Sequence, residues 1–73
     1  MPEMSEKTKK AFENARVKTE TYQQDFMAWI NASQSNDVDK IMPAFHKKEA
    51  SLKEANEASH QAYLLQKEDG LAD

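Results

Sequence analysis

The sequence contains no cysteine, a single glycine, two prolines and no long apolar run, and each shortage removes a class of protein. Without cysteine there is neither a disulfide framework nor a thiolate metal site, so a short chain must be stabilised by packing alone. No stretch approaches the ~20 apolar residues of a membrane-spanning helix. The start, Met1-Pro2-Glu3-Met4-Ser5-Glu6, is acidic and lacks the apolar run of a secretory signal. Gly70 stands alone, so no glycine loop can cradle a phosphate. These features describe a soluble, cytoplasmic protein without a membrane partner.

A dominant charge of one sign is missing too. Ten basic and 13 acidic residues are mixed along the chain and leave a net charge of −3, which argues against nucleic acid as a partner. Only the ends depart from the mixture: Lys7, Lys9 and Lys10 are basic, whereas Glu68, Asp69 and Asp73 are acidic. An antiparallel arrangement brings those ends together.

What is present is helical periodicity. Residues 5–32 carry Met4, Thr8, Ala11, Phe12, Ala15, Thr19, Tyr22, Phe26, Trp29 and Ile30 within an arc of roughly 100°. Glu6, Lys10, Glu13, Lys18 and Glu20 lie opposite. Ser5 and Pro2 are both start signals, and Ser5 as N-cap puts Thr8 at the third helical position. Residues 31–37, Asn-Ala-Ser-Gln-Ser-Asn-Asp, are the densest cluster of turn formers and mark the bend at 33–37. Asn36 suits the N-cap that follows.

Pro43 lacks the amide hydrogen of a continuing helix and biases Met42 towards extended geometry. This predicts a short helical turn over 38–42, possible as a separate helix, and a second long helix over 43–67. Gly70 then supplies a left-handed C-cap, with residues 68–73 as a loose tail. The fold class is therefore all-α: one domain, an antiparallel two-helix hairpin. A single hairpin core of this size supplies only a few kcal/mol, so completion as a helical bundle, by self-association or by a helical partner, is expected.

The second helix has a wide, weakly polar face. Ile41, Phe45, Lys48, Leu52, Ala55, Ser59, Ala62, Tyr63 and Gln66 continue the hairpin seam, with Lys48 able to snorkel out. Ala44, Ser51, Ala58, Ala62 and Leu65 form a second arc beside it, and the two together span roughly 160°. Ser51, Ala58 and Leu65 recur every seven residues, a coiled-coil spacing. That arc is the expected partner-binding face, for a homodimer or a helical protein. Met27 and Met42 lie off both stripes near the bend and, with Trp29, form a candidate tip patch.

Chemistry has few candidates. Glu57 and His60 have the E-x-x-H spacing that supplies metal ligands in carboxylate bundles, but Glu57 lies outside the seam and no inward carboxylate faces it from the first helix. His46 and His60 share a side of the second helix roughly 21 Å apart. No serine, histidine and acid can be grouped for nucleophilic catalysis. No cofactor is expected, and the chain reads as a non-enzyme: an accessory, regulatory or chaperone-like interaction module. Two alternatives are an RNA-binding hairpin using Lys7, Lys9, Lys10 and Arg16, and a metal-binding bundle using Glu57 and His60.

Overall fold

The computed structural model describes residues 3–71. The proposed start at Pro2 and the last two residues of the expected tail lie outside that range. Two helices account for almost everything described: α1, Glu6–Ser33, and α2, Val38–Glu68, packed side by side as an antiparallel hairpin. No helix among the described residues is long and apolar enough to cross a membrane.

Each terminus has an identifiable cause. Ser5 is extended, and its hydroxyl accepts from the Thr8 amide at 3.2 Å, satisfying one orphan donor of the first turn. At the bend, Asn36 takes a positive φ of 58°, a conformation that asparagine tolerates better than most residues. Asn36 is thus not the cap. Asp37 is, its carboxylate accepting from the Asp39 amide at 3.0 Å. Gly70 closes α2 with φ 76°. Its amide bonds to the Lys67 carbonyl and that of Leu71 to Gln66, the double closure that ends a helix through a left-handed residue.

Pro43 neither ends nor begins a helix. The separate short helix over 38–42 is not formed, because α2 runs unbroken through the proline. The reason lies in its position: only the Asp39 carbonyl loses an intrahelical donor, and Asp39 is exposed to water.

The seam follows a strict alternation of three and four residues. On α1 the buried and half-buried positions include Thr8, Ala11, Ala15, Lys18, Tyr22, Asp25, Trp29 and Ala32, with Met4 just before the helix. On α2 they include Ile41, Ala44, Lys48, Ser51, Ala55, Ala58, Ala62 and Leu65, with Asp69 as its C-cap. This spacing keeps one stripe of each helix against the other, as in a coiled coil. Most of the deeply buried residues are small: Ala15, Ser51, Ala55, Ala58 and Ala62 all expose less than a tenth of their surface. The small side chains let the two backbones approach closely.

Three cross-seam contacts set the register. The Thr8 hydroxyl donates to Asp69 at 2.7 Å, the Ser51 hydroxyl donates to buried Asp25, and the Lys48 ammonium lies 4.9 Å from the Trp29 ring centroid. The loop and first turn of α2 rise past the end of α1 before the seam begins. Pairing is consequently displaced by more than a helical turn from a count outward from the bend, which would have set Ala15 beside Ala55.

Candidate partner-binding face

The packing corrects the expected division of faces. Ser51, Ala58, Ala62 and Leu65 are buried in the intrachain seam against α1, and Ala44 is half-buried there. They are not an open surface. The physical reason is size: a close helix pair needs small residues along its stripe, and α2 has an uninterrupted run of them at coiled-coil spacing. Of the aromatic residues that the periodicity places in the core, Tyr22 and Trp29 keep seam positions, whereas Phe12, Phe26 and Tyr63 are displaced to the side.

That side is well defined. In an antiparallel pair the positions immediately following the second seam residue of each heptad lie on the same flank of both helices. On α1 these are Phe12, Thr19, Phe26 and Ser33; on α2 they are Phe45, Leu52, Ser59 and Gln66. The next positions outward are Lys9, Arg16, Gln23 and Ile30 on α1, and Met42, Glu49, Asn56 and Tyr63 on α2. Ile30, Phe45 and Leu52 are half-buried, whereas Phe12, Phe26, Met42 and Tyr63 remain 37, 36, 44 and 45% exposed. Within the helices, every half-buried residue off the seam belongs to this flank. Its large side chains therefore lean over the small-residue seam without being enclosed by it.

At the bend end aromatic side chains run from the seam onto this flank. Tyr22, Phe26, Trp29 and Phe45 form a chain with successive ring centroids 6.0, 5.7 and 6.4 Å apart, all tilted, the geometry preferred by ring quadrupoles. A shallow concavity of about 290 Å³, lined by Tyr22, Gln23, Phe26 and Met27, opens on the same side. Lys48 does not snorkel into bulk water. It is buried, with its ammonium 4.8 Å from the Phe45 centroid, and it bonds to Glu49 at 2.6 Å. Two ring faces and one carboxylate replace its lost hydration. Met27 and Met42 are exposed.

The opposite flank is mainly polar, with Val17 and Leu64 exposed on it. Lys47 approaches Asp25 at 3.6 Å and Lys18 approaches Glu54 at 4.0 Å. Asp25 is thus held between the Ser51 hydroxyl and an ammonium, and no buried side-chain nitrogen or oxygen among the described residues lacks a partner.

Charges also line the outer rims. On α1, Arg16 bonds to both Glu13 and Glu20, and Lys9 meets Glu6 at 3.4 Å. The Arg16 hydrogen bond and charge hold the Glu13 carboxyl below its ordinary range, and Glu13 in turn raises Arg16. The basic residues proposed for RNA binding are therefore dispersed: Arg16 and Lys9 are ion-paired on the apolar flank, while Lys7 and Lys10 sit on the polar one.

Glu57 and His60 are both exposed on the far side of α2. Among the described residues no three histidine, aspartate or glutamate side chains are grouped to share a metal ion. His46 and His60 also point away from the seam, His46 with its ring 5.8 Å from that of Phe45.

The apolar periodicity places Phe12, Phe26, Leu52 and Tyr63 in the seam and so does not reveal the face they form. A signal was available in the unbroken heptad run Ala44, Ser51, Ala58, Leu65. Lys18, Asp25 and Lys48 obscured it, because three charged residues inside a seam tilt the apolar arc towards the aromatics. In comparison with known proteins, no family model matches the chain, and no curated protein or solved structure is significantly similar to it.

Proposed function

We propose that the chain is a non-catalytic protein–protein interaction module, a small accessory or regulatory hairpin that lays its Phe12–Phe26–Leu52–Tyr63 face on another helical surface. One observation carries the reading. Small residues fill most of the intrachain seam, and most of the exposed large apolar side chains stand on one outer flank, with only Val17 and Leu64 exposed on the other among the described residues. A chain that folded only for itself would enclose Phe12, Phe26 and Tyr63, since burying one such side chain is worth ~1.5–3 kcal/mol. Two apolar clusters rimmed by charges, Phe26, Ile30, Phe45 and Leu52 at the bend end and Phe12 and Tyr63 towards the termini, have the form of an association surface. Support for a non-catalytic role comes from the dispersal of the polar groups: both histidines lie on the outside of α2, away from Asp25 and Ser51.

Thermal unfolding across protein concentrations tests the reading. Association through this face makes the melting temperature rise with concentration by mass action. Phe12→Lys and Phe26→Lys together should abolish that rise while leaving the helical content intact. A melting temperature independent of concentration and unchanged by the substitutions would contradict it.

A further inference from the structure

We infer that the occupant of this face is a second copy of the chain, laid face to face with both bends at the same end, so that α1 of each copy covers α2 of the other. The inference rests on the interaction reading and adds the partner and its alignment.

Size is the first argument. The hairpin measures 54 × 16 × 13 Å between Cα extremes, so its broad face offers on the order of 800 Å², the ~800 Å² per partner of a standard stable interface. A partner must match that length to cover it, and a second hairpin does.

The distribution of side chains along the face is the second. Phe26, Ile30, Phe45 and Leu52 lie towards the bend, Thr19, Gln23, Asn56 and Ser59 in the middle, and Phe12 and Tyr63 towards the termini. With bends together, apolar clusters meet apolar clusters and the polar middle meets itself. The four helices then form a bundle in which every neighbour is antiparallel.

Charge selects between the two possible alignments. Glu6, Glu13 and Glu20 recur every seven residues along the outer rim of α1. His46, Lys53, His60 and Lys67 recur every seven along that of α2. With bends together, the register of Asp25 opposite Ser51 carries over to the partner's α2. Glu13 then falls between the partner's His60 and the partner's Lys67, and Glu20 between the partner's Lys53 and the partner's His60. In the reverse alignment α1 lies on α1 and α2 on α2, so Glu20 meets the partner's Glu20 and Lys53 meets the partner's His60. Because Arg16 and Lys9 already offset part of the acidic rim, these charges fix the alignment more than the affinity. The apolar face supplies the affinity.

Since the chain has no native cysteine, Gln34→Cys gives one spin label per copy at the exposed bend. The expected distance between labels is roughly 10–25 Å, because packed helix axes lie ~10 Å apart. Glu13→Lys with Glu20→Lys should weaken dimerisation on the order of tenfold. Adding Lys53→Glu and Lys67→Glu should restore it, with far-ultraviolet circular dichroism verifying that each variant is folded. A dimer whose labels lie near the 54 Å length of the hairpin, or one indifferent to charge reversal, overturns the alignment and leaves the interaction reading standing. A folded chain that is monomeric at every concentration overturns the second copy as occupant. If Phe12→Lys and Phe26→Lys also leave the chain's melting unchanged, the interaction reading falls with it.

Discussion

Thr8 and Asp69, 61 positions apart in the chain, join the start of α1 to the end of α2: the Thr8 hydroxyl donates to the Asp69 carboxylate at 2.7 Å, and the Ser5 amide donates to the same oxygen at 2.9 Å. A carboxylate at the positive end of α1 is favourable in itself. Here it comes from the other helix, so the C-cap residue of α2 also helps to cap α1.

The pH dependence follows. The Ser5 amide, followed by the Thr8 hydroxyl, holds the Asp69 carboxyl below its ordinary value of 3.8. A lowered folded-state pKa contributes stability above the unfolded value and loses it as pH falls through the folded one. Asp69→Asn should therefore lower the melting temperature at neutral pH. Its deficit relative to the parent should shrink as the pH falls below 3.8. Circular dichroism melts of both proteins across acid pH check this; a deficit that persists undiminished in acid would assign the effect to something other than the charge.

The seam and the open flank should respond oppositely to the same added bulk. Ala62 is completely buried, so Ala62→Leu overpacks a close helix contact and should cost about 1–3 kcal/mol or more. Ser59 lies exposed on the apolar flank, and Ser59→Leu, measured on dilute monomer, should change stability by less than ~0.5 kcal/mol. Denaturant titrations give both values. Equal costs would mean that the seam is misidentified.

Pro43 costs stability without organising anything visible in the fold. Replacing it by alanine in an unbroken α2 should stabilise the chain by about 1–3 kcal/mol, since proline is the least favourable residue inside a helix. The gain falls short of the full ~3 kcal/mol because proline also restricts the unfolded chain. Unchanged or reduced stability of Pro43→Ala would show that the proline sets a bend the hairpin needs.

Asp25 and Ser51 form the buried polar pair of the seam. Ser51→Ala leaves a buried carboxylate short of a donor and should cost ~1–3 kcal/mol, whereas Asp25→Leu combined with Ser51→Ala should recover much of that loss. Lys47, whose side chain is largely exposed, compensates little for the missing hydroxyl. The double variant separates a requirement for the polar pair from a requirement for either residue alone.

The hairpin itself was legible in the sequence because its signals are local. Turn formers at 31–37, Ser5 as a cap and Gly70 as a stop are each set by the backbone near them; three helix limits differ from expectation by one residue, and the start of α2 by five, because the break expected at Pro43 is absent. The choice of face was not legible from the apolar arc. Aromatic residues weigh most in such an arc, yet helix approach is governed by the smallest side chains, and Lys18, Asp25 and Lys48 disguised the small-residue stripe. Those three are tolerated because each finds a partner across or beside the seam: Glu54 for Lys18, Ser51 and Lys47 for Asp25, Trp29 and Phe45 for Lys48. Such partners lie far off in the chain or depend on register, so neither spacing nor composition announces them.

Sedimentation equilibrium of the parent chain beside its Phe12→Lys, Phe26→Lys variant, from micromolar to submillimolar concentration, tests the association face most directly. The parent should approach twice the 8.4 kDa chain mass as concentration rises, and the variant should remain a folded monomer throughout. A parent that is helical yet sediments as a single chain over the whole range, indistinguishable from the variant, would contradict the account.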